Sequence, residues 1–217
     1  MARKQERIAA LTPDRAHELV DLWTTGGFDD TLPGEGLAAA RDSEAEADWI
    51  RLALDRFGDC GRLLYADDGL IAYAKYAPPE LFAGRAAGET GRVRPDAILM
   101  PGLVVTPNMD GAGLAKLLLQ AVEKDLYKRG FAAIEAFACA ADPAGPPRAC
   151  WPIEFYEGHG FKARAYGPPP SIVRLELKTI VSWTDNLEAV LDALLGAGAV
   201  LTPKRAPAAN GTLRNVE

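Results

Sequence analysis

Metal-binding side chains are scarce in this sequence of 217 residues. It has two histidines, His17 and His159, and three cysteines, Cys60, Cys139 and Cys150, with no Cys-x-x-Cys spacing. An odd and sparse cysteine count argues against a disulfide framework, and so few His and Cys residues argue against a zinc knuckle, so no metal site is expected. No stretch reaches the roughly 18 to 20 unbroken apolar residues that a bilayer-spanning helix needs. The opening residues carry Arg3, Lys4 and Arg7 but neither a long apolar region nor a small-residue cleavage site. Residues 1–9 therefore read as a polar leader rather than a signal peptide. These absences predict a soluble, cytoplasmic protein with no membrane partner. Positive charge is also in deficit, with 24 Lys and Arg against 30 Asp and Glu, a formal net charge of −6. A negative chain is repelled by phosphate backbones, and the basic residues do not cluster, so no nucleic-acid partner is expected.

What is present suffices for one core. Hydrophobic residues make up 48% of the chain, and the length fits a single domain with tails. Pro13 and the stripe Ala16, Leu19, Val20, Leu22 and Trp23 predict a helix over 15–23, ended by Gly26 and Gly27. A second helix is expected over 43–57, capped by Ser43 with Glu46 three residues on. Residues 62–66 and 70–76 alternate like strands around Asp67-Asp68-Gly69, a hairpin signal. The nearly all-apolar run 97–106 reads as one central strand covered on both faces. A glycine-bearing turn, a long amphipathic helix to Arg129 and a strand over 131–138 form a parallel crossover unit. A short helix over 152–157, strands over 161–166 and 171–177, a terminal helix over 185–195 and a loose tail complete an α/β reading with one mixed sheet.

The segment from Leu103 to Lys116 carries the strongest chemical signal. An apolar strand ends at Pro107 and the chain turns through Gly111 and Gly113 directly into a helix. Such a turn presents consecutive backbone N–H groups at the positive end of a helix dipole, an arrangement suited to a phosphate or pyrophosphate. A tight strand-to-helix turn with no ligand is the plain alternative. The dinucleotide fingerprint fails, because there is no third glycine and no acidic residue about 20 positions on. A nucleotide P-loop fails too, for want of Gly-Lys-Ser/Thr.

Together with Glu154-Phe155-Tyr156-Glu157-Gly158-His159-Gly160-Phe161, this turn resembles the GNAT superfamily of N-acetyltransferases. That family's pyrophosphate loop reads Gln/Arg-x-x-Gly-x-Gly/Ala, met here by Asn108, Gly111 and Gly113, with Ala115 matching a frequent small residue. Its closing tyrosine, four residues before Gly-Phe, is met by Tyr156. The stretches 73–79 and 132–137 look like an actinobacterial-type subgroup. The resemblance implies a GNAT-type acyl-CoA N-acyltransferase fold over 10–178, a mixed central sheet with splayed parallel strands flanked by helices. Residues 179–200 would then be a helical extension and 201–217 a flexible tail. It further implies acetyl-CoA as cosubstrate: backbone groups of Leu103, Val104 and Val105 pair with its pantetheine arm, and Asn108 with Gly111, Ala112, Gly113, Leu114, Ala115 and Lys116 hold its pyrophosphate. The expected activity is direct acetyl transfer to a primary amine of a small molecule. A non-catalytic acyl-CoA-binding regulatory module and a protein lysine or N-terminal acetyltransferase are the alternatives.

In that reading Tyr156 is the acid for the departing thiolate. The pattern departs from the family at Asn108, at Asp110, which sets a carboxylate beside a polyanionic ligand, and at the Asn missing before the tyrosine. Glu135, one carboxyl on an otherwise apolar strand, is open to two readings: a general base whose pKa burial raises, or a carboxylate without chemistry, at the strand's solvated face or paired with Arg or Lys on a neighbouring helix. Asp96 is a lesser base candidate. Asp29, Asp30 and Glu35 would border the acceptor pocket or form a solvated loop, and Trp23 and Phe28 would line that pocket or belong to the core. His17, His159, Cys139 and Cys150 read as bystanders. The apolar face of Leu187, Val190, Leu191, Leu194 and Leu195 suits either intramolecular packing or a homodimer contact.

Overall fold

The computed structural model describes residues 6–26, 42–67, 69–82, 93–106, 111–139, 150–165 and 171–178. The expected helix over 185–195, the tail, Asn108, Asp110, Phe28 and the acidic loop Asp29, Asp30 and Glu35 lie outside them.

The first described element is a strand, β1 (Glu6–Ala10), overlapping the stretch expected to be a polar leader; it pairs antiparallel to β2 (Gly61–Ala66) over five residues. Ile8 explains the difference, since it is buried in the core and holds the strand on the sheet. A 3-10 turn leads into α1 (Ala16–Thr25), which buries Leu19, Leu22 and Trp23. Then comes α2 (Ser43–Phe57). Its N-cap is Asp42, not Ser43: the Asp42 carboxylate accepts from Glu44 N–H at 3.0 Å. The hairpin of β2 and β3 (Gly69–Lys75) forms as expected around Asp67, which takes a positive φ of 54°, a conformation that Asp tolerates.

The expected single strand over 97–106 is two strands in two sheets. β4 (Ala97–Met100) runs parallel to β6 (Ala133–Cys139), while β5 (Leu103–Val105) pairs antiparallel with β3. Pro101 and Gly102 sit at the break, where proline supplies no N–H to continue a ladder. The crossover helix α3 (Gly111–Lys128) lies between β5 and β6 in sequence. The chain continues through β7 (Trp151–Pro152), which adds parallel to the end of β6, the short α4 (Ile153–Glu157), β8 (Lys162–Ala165) and β9 (Ser171–Glu176). One sheet has the order β1-β2-β3-β5; the other has the order β4-β6-β9-β8.

Side chains alternate across the strands and divide the core into two layers. On one side Leu64, Ala72, Leu103, Val105, Ile134 and Ala136 pack with the α3 residues Leu114, Leu118, Leu119, Val122 and Leu126. Those leucines recur at helical spacing, each contributing about 1.5–3 kcal/mol by leaving water. On the other side Leu63, Tyr73, Leu99, Val104 and Phe137 pack with residues of α1 and α2. Among the described residues no helix is long and apolar enough to cross a membrane. The bystander reading of Cys139 and Cys150 is corrected: they form a disulfide with Cα atoms 5.8 Å apart, because β7 brings residue 150 alongside the end of β6.

Candidate active site

β4 stays paired with β6 as far as Met100 and Ala136, and beyond that point β5 and β6 belong to different sheets. The result is a split between neighbouring strands. Thr106 N–H donates to Ile71 C=O of the β3 side at 2.9 Å, so Val104, two residues earlier, also faces β3. Leu103 and Val105 must then turn their N–H and C=O groups into the split. A free strand edge of this kind can take an extended ligand as a further strand.

The split is not empty of protein. β7 lies along the β6 side of it, with Trp151 opposite Ala138. The buried Trp151 indole reaches across and its Nε1–H donates to Leu103 C=O at 2.8 Å. Its ring also packs against Phe155 at a tilt of 37°, with centroids 4.6 Å apart.

Helix α3 begins at Gly111, so the N–H groups of Gly111 and Ala112 have no acceptor within the helix. No acidic residue occupies its first turn. Ala112 and Lys116 are exposed, whereas Leu114 and Ala115 point into the core. Among the residues expected at the pyrophosphate, the side chains of those two are therefore taken up by the core. Gly111 has a further reason to be glycine: a Cβ there would lie 3.2 Å from Cη2 of Trp151.

Tyr156 sits on α4, which leaves β7 directly. Its ring is fully buried between Phe155 and Phe161, at centroid distances of 5.4 and 5.2 Å. The hydroxyl has no hydrogen-bond partner among the described residues. Burial pushes its pKa up, which keeps the phenol protonated. Leaving a buried hydroxyl unsatisfied costs about 1–3 kcal/mol. A ligand that brings an acceptor or a thiolate to this atom removes that cost. His159, by contrast, is a structural residue, with Nδ1 2.6 Å from Phe155 O.

Of the two readings open for Glu135, the ion pair is the one the geometry supports. The buried carboxylate lies 3.1 Å from Arg174 Nη1 and 3.0 Å from Arg164 Nε, and it also accepts Arg94 N–H at 3.1 Å. Both guanidinium groups come from strands, β8 and β9, not from a helix. Asp96 is engaged as well: Arg174 donates to both its oxygens, holding its carboxyl below the usual range. Asp96 is thereby a poorer base, and the Glu135 carboxylate is already engaged by two guanidinium groups and a backbone N–H.

Three further polar residues went unrecognised in the sequence. Glu46 and Lys75 are buried, with Oε1 and Nζ 2.6 Å apart, close as an ion pair although not aligned as a hydrogen bond. Lys75 Nζ also sits 4.2 Å from the Trp49 ring centroid. Tyr73, opposite Val104 on β3, has its pKa raised by burial first and then by Glu46 nearby. By alternation along β3, Tyr73 and Lys75 share the face that carries Val104 and Phe137. Period-2 spacing of Tyr73 and Lys75 was the available signal.

The strand split, the helix that starts beside it and the flanking sheets define the GNAT acetyltransferase fold. No family model and no curated protein matches the sequence. Solved structures match at the level of fold. The PaiA N-acetyltransferase of Thermoplasma acidophilum, in complex with coenzyme A, is 16% identical with a TM-score of 0.56, over 81% of this chain and 99% of that one. yncA of Salmonella typhimurium, with its cofactor acetyl-CoA, is 14% identical with a TM-score of 0.53, over 80% of this chain and 94% of that one. A GNAT-family protein of Desulfovibrio desulfuricans is 21% identical with a TM-score of 0.51, over 81% of this chain and 99% of that one.

Proposed function

We propose that this protein is an acetyl-CoA-dependent N-acetyltransferase acting on a primary amine of a small molecule. One observation carries the reading: the buried, unpartnered Tyr156 hydroxyl on the helix that follows the split between β5 and β6. A fold alone does not fix an activity, but an orphaned proton donor at this place has a use in thioester chemistry. The remaining residues fit the same cosubstrate. Gap-facing groups of Leu103 and Val105 offer a strand edge to the pantetheine arm, and the first N–H groups of α3, with Lys116 near them, suit a pyrophosphate.

Acetyl-CoA supplies an activated acyl group whose leaving atom is a thiolate sulfur. Tyr156 Oη–H donates the proton that this sulfur needs, and its raised pKa keeps the proton available across the neutral range. With Glu135 and Asp96 both held by Arg174, the amine arrives neutral or gives its proton to water. The Glu46–Lys75 pair and Tyr73 are the polar groups nearest in sequence register to Val104 on the acceptor side.

The test is release of free coenzyme A thiol when the protein is mixed with acetyl-CoA and a panel of small amines. Tyr156→Phe should lower kcat about a hundredfold, a usual worth for a positioned acid. Turnover unchanged in Tyr156→Phe removes the assignment of the acid. Binding of acetyl-CoA with no thiol release from any amine, peptide amines included, supports a binding module instead.

A further inference from the structure

We propose that Trp151 is a positioning residue whose indole occupies the β5 edge and sets the affinity for the pantetheine arm of an acyl-CoA. This rests on the acyl-CoA reading above. β5 is three residues long, and only Leu103 and Val105 turn main-chain groups into the split. Leu103 C=O is one of the two carbonyls so placed, and the Trp151 indole already fills it at 2.8 Å. The indole is held there from three sides. Phe155 packs against it at a tilt, Gly111 at the head of α3 leaves room that a methyl group would remove, and the backbone of Trp151 pairs with Ala138. The residue before it, Cys150, is tied by its disulfide to Cys139, the residue after Ala138. The arm therefore meets an edge on which one acceptor is taken and the occupant is clamped. Binding requires that the indole give up Leu103 C=O or that the arm do without it.

Calorimetry with two ligands tests this. Trp151→Phe keeps an aromatic ring against Phe155 and Gly111 but removes the N–H donor. It should bind acetyl-CoA about three- to tenfold more tightly than the wild type, the worth of one exchanged hydrogen bond. It should bind 3′-phospho-ADP, which has the 3′-phosphate and the pyrophosphate but no pantetheine arm, with unchanged affinity. A residue that merely supports the head of α3 would move both. The paired substitution Cys139→Ser with Cys150→Ser leaves the indole intact and loosens its clamp, so it should shift acetyl-CoA affinity in the same sense; it also serves if Trp151→Phe does not fold. Unchanged or weaker acetyl-CoA binding in these variants overturns the proposal while leaving the acyl-CoA reading in place. Wild-type protein that binds neither ligand at millimolar concentration overturns the acyl-CoA reading, and this proposal with it.

Discussion

Glu123 on α3 carries an oxygen, Oε1, that is sealed from solvent and has no hydrogen-bond partner among the described residues, although the residue as a whole keeps some exposure. Burial alone pushes its pKa from 4.5 up to about 8. Because the folded pKa lies above the unfolded one, the contribution of this group is complete below about 4.5 and is lost as pH rises toward 8. Glu123→Gln has no proton to lose. Its stability should match the wild type at about pH 4 and exceed it by about 1 to 3 kcal/mol at about pH 8.5, the full linkage value being reduced by the water that reaches the rest of the side chain. Urea unfolding at the two pH values measures this, and a difference that does not grow with pH disproves it. The sequence gives no hint of such a residue, because Glu at that position of an amphipathic helix looks like any solvated carboxylate. Glu135 differs, since its apolar neighbours mark it as buried. What they do not reveal is that Arg164 and Arg174, 29 and 39 residues later, come to meet it.

Whole elements were the more legible level. Hydrophobic period and turn residues placed α1, α2, the β2–β3 hairpin, α3, β6 and β9 to within a few residues, because each buries a continuous stripe against the sheets. The reading failed where a tertiary partner decides. Residues 97–106 are uniformly apolar, and only the strand pairing beyond Pro101 and Gly102 shows that two sheets divide them. Tyr156 drew notice through the family resemblance of its spacing to Gly160 and Phe161, whereas Trp151 did not, since its hydrogen bond to Leu103 crosses the split. Glu46 shows the same limit at a helix start. Its capping-box spacing suggests a surface role, yet the first turn of α2 is pressed onto β3 and Glu46 meets Lys75 inside the core. That pair joins α2 to the sheet. Removing one charge, in Glu46→Gln or Lys75→Met, should cost about 3–5 kcal/mol, and the double variant Glu46→Leu with Lys75→Met should recover most of it. A double-mutant cycle in urea decides; strictly additive losses contradict a direct pairing.

At the scale of the whole molecule, the net charge of −6 and the proposed polyanionic cosubstrate pull against each other. A protein that binds phosphates through a basic patch loses affinity as salt rises, because screening weakens its attraction. Here the first two turns of α3 contain one cation, Lys116, and the other donors are backbone N–H groups fixed at the helix start. Their contribution is short in range and changes little with ionic strength. The long-range field of the molecule is repulsive toward the ligand, and salt screens it over a Debye length of about 10 Å at 0.1 M. Raising sodium chloride from about 50 to about 500 mM should therefore leave the Kd for acetyl-CoA level or lower it, and should raise the association rate. Lys116→Ala should weaken binding at low salt and lose most of that effect at high salt. A wild-type Kd that rises tenfold or more over the same range would show that side-chain cations, and not the head of α3, carry the phosphates.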